Sequence, residues 1–412
     1  MPISRDDGAR SGQHAGQLFR RPTALVLTGG GARAAYQVGV LAAILEILDP
    51  GSRPGFPNPF HIICGTSAGA INAAALACGT DRPHRAVRRM RRLWASLETG
   101  MVYRADTPGL VGTGVRWLGL LSLGWMMTKA AKRPQSLLDN QPLADLLGRV
   151  LDFKRLGHNL HRGRLASLAI TASGYTSGEH LTFYQSDRPI EPWQRFLRRA
   201  IPTPIGIEHI LASSAIPFVF PSQAVEVQGQ VEWCGDGSMR QLAPISPAIH
   251  LGAERILVIG TSYHDETHPE QREAAPPYPS LAQVGGHTLS SIFLDGLSTD
   301  LERLQRTNRM LDQMGAQVDP GLNLRRVDVL AITPSQSLDT LALAHFDALP
   351  AQARTLFRVL GVSSDPSRKG GGALMSYLLF EAAYTQRLIE LGYADTMRRN
   401  EEVVTFFEEA RA

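Results

Sequence analysis

The sequence predicts an α/β fold in which a mostly parallel sheet lies between helices, with a helical C-terminal part packed on it. Two observations support this class. From Thr23 to Ala77, strand-type and helix-type segments alternate, and a Gly-rich turn follows each of the two strands. Helical patterns then dominate the end of the chain after Thr333. Alternation of this kind is typical of parallel strands joined by crossover helices.

The first unit is a strand, a glycine loop and a helix. Residues Thr23–Thr28 form a short apolar run that predicts a buried strand. It leads directly into Gly29, Gly30, Gly31, Ala32 and Arg33. Apolar residues at helical spacing predict a helix from Ala34 to Leu48, and the Pro- and Gly-rich stretch Pro50–Pro59 predicts a loop.

The second unit carries the strongest chemical signal. An apolar strand over Phe60–Cys64 and a small-residue helix over Ala68–Ala77 flank the sequence Gly-Thr-Ser-Ala-Gly at 65–69. This is the G-x-S-x-G nucleophile elbow in the strand–turn–helix context that the motif requires. Gly65 and Gly69 would let neighbouring backbone pass close to Ser67, which would stand at a helix N-terminus. The alternative is a turn that only caps the helix.

The glycine loop permits two interpretations. Its amides could form an oxyanion hole, because no Cβ blocks the approach of a substrate oxygen. Alternatively, Gly29, Gly31 and Ala34 satisfy the G-x-G-x-x-A pattern of dinucleotide sites. That pattern requires an acidic residue at the end of the next strand, but the nearest candidates, Glu46 and Asp49, fall at the end of the helix. The loop and the elbow are therefore more consistent with the two halves of an acyl-transfer site.

The rest of the sequence predicts further strands and helices and one long loop. Residues 80–150 are mostly helical in pattern, and a helix that begins at Ala212 is stopped at Pro217. The predicted strands are Leu165–Thr171, Leu181–Tyr184, a hairpin over Val225–Trp233, Arg255–Thr261 and Arg326–Thr333, and the later helices are Leu289–Met314, Ala373–Leu391 and Ala394–Glu408. We divide the chain into a disordered tail (1–21), a main α/β domain (22–262), a Pro-rich loop (263–280) and a mainly helical C-terminal part (281–412).

One apolar segment and two basic clusters are further candidate surface features. Val115–Met127 holds two Trp and two Met and precedes the basic run Lys129–Arg133, which suits a lid or a segment in a lipid headgroup region; the alternative is a buried helix. The Arg-rich stretch Arg82–Arg92 is most simply a solvated helix face. The formal net charge is +4. Without aromatic interleaving or a reader motif, these clusters do not predict a nucleic-acid partner.

Cysteine usage and hydropathy favour a reducing compartment. The three cysteines, Cys64, Cys78 and Cys234, can form neither a disulfide framework nor a metal site, and we expect buried thiols. We find neither a secretory signal nor an uncharged apolar run of about 18 residues. We therefore expect a cytoplasmic protein that needs no metal or other cofactor.

A serine hydroxyl needs a base within hydrogen-bond reach, and the chain offers two schemes. In the first, a histidine takes the proton; the candidates after Asp236 are His250, His264, His268, His287 and His345, none of which follows a strand in a Gly-flanked loop. In the second, Asp236 itself is the base, since its setting between Gly235 and Gly237 would let a carboxylate enter a crowded site. A simple Asp-Gly turn is the alternative for these residues.

Four motifs in order resemble the patatin-like phospholipases. They are Gly-Gly-Gly-Ala-Arg-Ala-Ala-Tyr at 29–36, Gly-Thr-Ser-Ala-Gly at 65–69, Ala-Ser-Ser-Ala-Ile-Pro at 212–217 and Asp236-Gly237. Two positions depart from the family pattern, because Ala34 and Ser238 stand where the family often has glycine. Both replacements are small, so we expect the site to be retained.

The resemblance implies a patatin-like three-layer α/β/α fold and a Ser-Asp dyad without a catalytic histidine. Ser67 would be the nucleophile and Asp236 the base. The loop amides of residues 29–33 would form the oxyanion hole, with Arg33 orienting the loop or meeting an anionic substrate. Ser213 and Ser214 lack an elbow, and we expect packing or capping roles for them.

The resemblance implies a lipid acyl hydrolase that cleaves phospholipids or lysophospholipids, with peripheral contact to a membrane. Two alternatives remain: an acyltransferase that uses the same dyad, and a catalytically silent lipid-binding protein of this fold. The sequence gives no signal for the oligomeric state.

Overall fold

The computed structural model describes residues 21–104, 136–263, 280–314, 324–359, 361–362 and 371–411. Several predicted features lie outside these residues. They are the tail up to residue 20, the apolar segment Val115–Met127, the basic run Lys129–Arg133, and loop residues 264–279 with His264 and His268.

The described residues form ten strands and fourteen α-helices, with short 3-10 turns at Gly31–Ala34 and Phe346–Ala348. The strands are β1 Thr23–Leu27, β2 Ile62–Thr66, β3 Ser167–Gly174, β4 His180–Ser186, β5 Gln194–Arg195, β6 Arg198–Pro202, β7 Gln223–Val227, β8 Gln230–Asp236, β9 Arg255–Ile259 and β10 Asp328–Ile332. The helices are α1 Ala35–Leu48, α2 Ala68–Cys78, α3 Pro83–Ala95, α4 Thr99–Val102, α5 Gln141–Val150, α6 Phe153–His161, α7 Ile207–Ser213, α8 Ser246–His250, α9 Leu281–Met314, α10 Leu338–Ala344, α11 Ala351–Val359, α12 Gly372–Leu378, α13 Ala382–Arg398 and α14 Asn400–Arg411.

All ten strands belong to one sheet, whose main order is β10-β9-β1-β2-β3-β4-β6-β5. The neighbours from β10 to β3 are parallel. Strand β4 runs antiparallel to β3, and the hairpin of β7 and β8 joins the sheet where β8 pairs with the end of β3. The predicted α/β class with a mostly parallel central sheet is confirmed.

The two faces of the sheet carry separate apolar clusters. In β1, Leu25 and Leu27 lie in one cluster, which includes α1 and α2, whereas Ala24 and Val26 lie in the other. The second cluster contains apolar residues of α8 and α9. Because successive strand residues point to opposite faces, this division places a helical layer on each side of the sheet and confirms the three-layer arrangement.

Helices α1 and α13 pack with their backbones unusually close. A Cβ on Gly39 would lie 2.0 Å from the carbonyl oxygen of Ile389, and a Cβ on Gly392 would lie 2.2 Å from that of Tyr36. Residues Gly31–Leu48 are long and apolar enough to cross a bilayer by length and composition, but 78% of this window is buried inside the fold. Its composition is therefore explained by its place in the core.

The C-terminal helices begin and end at different residues from those predicted. Helix α12 ends at Leu378, and α13 continues through Gly392, where the sequence predicts a break between two helices. Glycine often ends a helix, but here it allows the close contact with α1. Helix α9 begins at Leu281 rather than Leu289, and α7 ends at Ser213, the second residue of the predicted small-residue helix.

The close packing of α1 and α13 predicts that Gly392→Ala will lower the free energy of unfolding by about 1–3 kcal/mol, because a methyl group there forces the helices apart. Urea denaturation measures this effect. The matched control is Gly157→Ala in α6, where nothing lies within 4 Å of a new Cβ. That control should be neutral or stabilising by about 0.5–1 kcal/mol, and equal destabilisation of both variants would contradict the packing argument.

Candidate active site

Ser67 occupies a sharp turn between β2 and α2. Its backbone has φ +55° and ψ −131°, a conformation that non-glycine residues rarely adopt. A Cβ on Gly69 would lie 2.4 Å from Leu27 O, and one on Gly65 would lie 2.6 Å from the Cβ of Ala73. The two flanking glycines thus allow α2 to approach the sheet closely, and they fit the predicted strand–turn–helix elbow.

Asp236 ends β8 and lies against Ser67. The Ser67 hydroxyl donates to Asp236 Oδ2 at 2.5 Å, and the N–H of Ser238 donates to Oδ1 at 2.8 Å. Both Ser67 and Asp236 are almost fully buried. Burial raises the pKa of Asp236 to about 6, although the hydrogen bonds from Ser67 and Ser238 favour the charged form. The carboxylate therefore predominates at neutral pH while its basicity is increased.

Residues around Gly237 hold the Asp236 turn against the sheet. A Cβ on Gly237 would lie 2.1 Å from the carbonyl oxygen of Thr171, so this position requires glycine. The His180 Nε2 lies 2.9 Å from Gly237 O and donates to it. Burial lowers the pKa of His180 to about 4, so the ring is neutral at pH 7. We did not identify His180 from the sequence, because β4 carries no motif and the contact depends on strand pairing.

Ser213 and Ser214 hold the backbone of Ser67 from both sides. The Ser67 N–H donates to Ser213 Oγ at 2.8 Å. Ser214 Oγ lies 3.2 Å from Ser67 O and 2.9 Å from Ile210 O. The sequence suggested packing or capping for these serines, whereas the structure places them beside the elbow. The signal available was their position inside the Ala-Ser-Ser-Ala-Ile-Pro motif.

The glycine loop presents unpaired amides next to Ser67. Within the described part of the chain, no acceptor takes the N–H groups of Gly30, Gly31 and Ala32. Arg33 differs, because its N–H donates to Gly30 O at 3.1 Å and is committed within the loop. Gly29 contributes a carbonyl, which accepts from the Thr261 hydroxyl at 2.6 Å. Gly31 and Ser67 line the same cavity.

The Arg33 side chain points away from this cavity. It forms an ion pair with Asp339, donates to Ser376, and its Cζ lies 3.9 Å from the centroid of the Tyr377 ring. Of the two roles expected for Arg33, the structure therefore fits the orientation of the loop and not direct contact with a substrate in the cavity.

An apolar cavity opens from Ser67 and Gly31. The volume within it that the centre of a water molecule can occupy is about 50 Å³. Almost all of its lining atoms are apolar, and the walls come from α2 to α5, the turn after α7 and the segment after α12. The larger apolar residues of the wall are Ile71, Leu93, Trp94, Leu97, Leu143, Leu146, Leu147, Ile216, Phe220 and Phe380. This lining suits the hydrocarbon part of a ligand.

A second cleft, whose lining residues are mostly polar, borders the Ser67–Asp236 pair. Ser238 lines it, and so does Gln241, whose amide donates to Thr66 Oγ1 at 2.8 Å. The charged residues that the structure describes in its wall are Arg240 and Arg303. The cleft therefore contacts the Ser67–Asp236 pair through two of its lining residues. Gln241 hydrogen-bonds to Thr66, which precedes Ser67, and Ser238 hydrogen-bonds to Asp236.

The competing candidates lie elsewhere. Among the described residues, no histidine hydrogen-bonds to Ser67 or Asp236; His250 stacks on Trp193, with ring centroids 4.7 Å apart. Asp49, considered for a dinucleotide, accepts from Arg53 at 2.6 Å and lies 3.0 Å from His84 Nε2. The arginines of α3 form an exposed helix face, as expected.

The three cysteines are buried, and the described residues hold no cluster of metal-ligand side chains. Cys64, Cys78 and Cys234 are buried free thiols, as predicted, and burial raises the pKa of each to about 12. No group of three His, Cys, Asp or Glu side chains that could hold a metal occurs in the ranges that the structure describes.

Comparisons with known proteins give one family and several distant structures. The profile of the patatin-like phospholipase family matches residues 25–249. Human GIVD cytosolic phospholipase A2 aligns at 13% identity and a TM-score of 0.46, over 98% of this chain and 63% of that protein. VipD from Legionella pneumophila aligns at 13% identity and a TM-score of 0.35, over 93% of this chain and 67% of VipD. The chain thus spans about two thirds of either protein. No curated protein matches the sequence.

The burial of Asp236 predicts a pH-dependent gain in stability for Asp236→Asn. The folded-state pKa of about 6 exceeds the usual value of 3.8, so the fold binds this proton more tightly than the unfolded chain does. As pH rises from about 4 to above 6, the wild type loses about 3 kcal/mol of unfolding free energy through this group. The isosteric amide avoids that loss. Asp236→Asn should therefore be more stable than wild type at pH 8, and the difference should vanish near pH 4.

Urea denaturation at the two pH values measures this difference. The control is Asp312→Asn, which removes an exposed carboxylate paired with Arg326. It should show little change, because exposed ion pairs contribute about 0–1 kcal/mol. A difference between Asp236→Asn and wild type that is the same at both pH values would contradict this account.

Proposed function

Because the chain belongs to the patatin-like phospholipase family, a family of ester hydrolases, we propose that it cleaves fatty-acyl esters of phospholipids or lysophospholipids with Ser67 and Asp236 as a catalytic dyad. The observation that carries this proposal is the 2.5 Å hydrogen bond from the Ser67 hydroxyl to Asp236 Oδ2 at the end of an apolar cavity.

The first step is the attack of Ser67 Oγ on the ester carbonyl carbon. As the new C–O bond forms, the hydroxyl proton passes along the existing hydrogen bond to Asp236 Oδ2. The raised pKa of Asp236 makes it a better base than an exposed aspartate. The Ser238 N–H holds the other carboxylate oxygen, so the accepting oxygen stays directed at Ser67.

The glycine loop stabilises the charge that develops on the carbonyl oxygen. The unpaired amides of Gly30, Gly31 and Ala32 are the donors of the oxyanion hole in this proposal. Ser67 also stands at the N-terminus of α2, whose dipole favours negative charge. Such fixed donors commonly contribute about 10²–10³-fold to the rate for each hydrogen bond.

The cycle closes with three proton transfers. The tetrahedral intermediate collapses, the C–O bond to the leaving alcohol breaks, and that alcohol takes the proton from Asp236. Asp236 then removes a proton from water, which attacks the acyl-enzyme, and the proton returns to Ser67 as the fatty acid leaves. None of these transfers requires a metal ion.

The two spaces beside the dyad fit the two ends of a phospholipid. The apolar cavity suits the acyl chain, while the second cleft with Arg240 and Arg303 suits an anionic headgroup. Substrate of this kind resides in membranes, so we propose peripheral contact of the protein with a lipid surface, from the cytoplasmic side.

Replacing either member of the dyad should abolish turnover. Ser67→Ala and Asp236→Asn should each lower ester hydrolysis by roughly 10³-fold or more, because nucleophile and base act as a unit. Covalent labelling by a fluorophosphonate, with the modified residue located by mass spectrometry, should occur at Ser67 in wild type and be lost in both variants. The matched controls are Ser96→Ala, at the exposed end of α3, and Asp312→Asn.

The same experiment separates the alternative functions. Undiminished hydrolysis in Ser67→Ala would overturn the assignment of the nucleophile. Transfer of the acyl group to an added alcohol in preference to water would identify an acyltransferase. Liposome binding that is unchanged in Ser67→Ala, with neither labelling nor turnover in wild type, would identify a lipid-binding protein without catalysis.

Narrowing the apolar cavity should shorten the preferred acyl chain. Leu146→Trp adds bulk to the wall contributed by α5. The ratio of kcat/KM for a long-chain ester to that for a butyrate ester should fall by roughly tenfold or more, since each excluded methylene is worth about 1–3 kcal/mol. The control is Val150→Trp on the same helix, where the side chain is exposed and outside the cavity. An unchanged ratio in Leu146→Trp would exclude this cavity as the acyl site.

A further inference from the structure

The guanidinium of Arg33 connects the glycine loop to two helices far along the chain. Its Nη2 pairs with Asp339 Oδ1 in α10 at 2.5 Å and lies 2.6 Å from Ser376 Oγ in α12. Its Nε donates to the same serine oxygen at 2.9 Å, and Ser376 Oγ lies 2.8 Å from Asp339 Oδ1. The three side chains thus form one closed hydrogen-bonded group, which we call the Arg33 cluster.

The Arg33 cluster is built for a fixed geometry. The Arg33 side chain is only 4% exposed, and Ser376 is fully buried. The planar guanidinium stacks on the Tyr377 ring with its face, while its edge pairs with Ser376 and Asp339. The two kinds of contact together fix its orientation. The Asp339 side chain is 40% exposed, so a buried guanidinium pairs here with a carboxylate that water can reach. Without that carboxylate, Ser376 is the hydrogen-bond partner that remains in the cluster.

Helix α12, which carries Ser376, also contacts the glycine loop directly. A Cβ on Gly31 would lie 2.2 Å from the carbonyl oxygen of Tyr377, and Gly31 has φ +55°. The Arg33 N–H donates to Gly30 O, so the position of Arg33 is transmitted directly to the turn that carries the free amides. Arg33 thus joins the side-chain cluster to the turn that carries Gly30 and Gly31.

We propose that Asp339 and Ser376 are positioning residues for the oxyanion hole and act on the glycine loop through Arg33. This inference rests on the proposed function, because it assigns the loop amides to the oxyanion. Neither residue lies within the 25–249 match to the family profile. The C-terminal helices therefore take part in catalysis by fixing the direction of the loop amides, and not only by covering the core.

The proposal predicts a selective loss of rate in Asp339→Asn and Ser376→Ala. Misdirected donors weaken transition-state stabilisation, so kcat and the second-order rate of fluorophosphonate labelling should both fall roughly 10- to 100-fold. KM for a soluble ester should stay within about twofold, since the acyl cavity is unchanged. Combining either variant with Arg33→Met should add little further loss, because all three residues act through one group.

Active-site titration with the fluorophosphonate distinguishes positioning from a merely structural role. With a positioning role, every molecule is eventually labelled, but slowly. With a structural role, fewer molecules are labelled, at the wild-type rate, and the melting temperature falls accordingly. Asp312→Asn is the control for removing a carboxylate from the C-terminal part, and it should match wild type in both readouts.

Two outcomes distinguish failure of the positioning proposal from failure of the proposed function. If wild type is labelled and both variants react at the wild-type rate, the positioning proposal is wrong and the proposed function stands. If folded wild type is neither labelled nor active on any ester, the proposed function fails before the variants are compared.

Discussion

The hydrogen bond between Ser67 and Asp236 depends on the register of three strands. Thr66, the last residue of β2, pairs with Thr171 in β3, and the next residue of β3, Ala172, pairs with Asp236 of β8. Strand β3 therefore brings together two residues that are 169 positions apart in the sequence. Strand β2 runs parallel to β3 and β8 runs antiparallel to it. Both strands nevertheless end beside Thr171 and Ala172 of β3. A slip of one residue in β8 would turn the carboxylate to the other face of the sheet.

The contact between Ser67 and Asp236 lowers the stability of the fold. Asp236 is buried with a raised pKa, Ser67 adopts a strained backbone conformation, and Gly69 and Gly237 leave no room for a side chain. Strain of this kind persists only where the surrounding structure over-determines it. Here the surroundings do so through Ser213, which accepts from the Ser67 N–H, and through the two apolar clusters on the sheet. Burial of the apolar residues in these two clusters offsets the free energy that the site costs the fold.

The sequence predicted the class of the fold and the elbow because both are local signals. The elbow needs only a strand, two glycines and a helix in direct succession, and all of these lie between Phe60 and Ala77. Asp236 was different, since its Asp-Gly context is common in turns and only the order of four motifs selected it. His180, Asp339 and Ser376 carried no signal at all, because each acts through a tertiary contact. Gly392 misled the prediction because a helix end and a close helix contact both favour glycine.

The glycine loop owes its geometry to being held from both sides. A Cβ on Gly30 would lie 2.5 Å from the hydroxyl oxygen of Thr261, and one on Gly31 would lie 2.2 Å from the carbonyl oxygen of Tyr377. The loop is thus confined between the end of β9 and helix α12. In the proposed mechanism these fixed amides act as donors to the carbonyl oxygen of the substrate, and their hydrogen bonds strengthen as negative charge develops on that oxygen in the transition state.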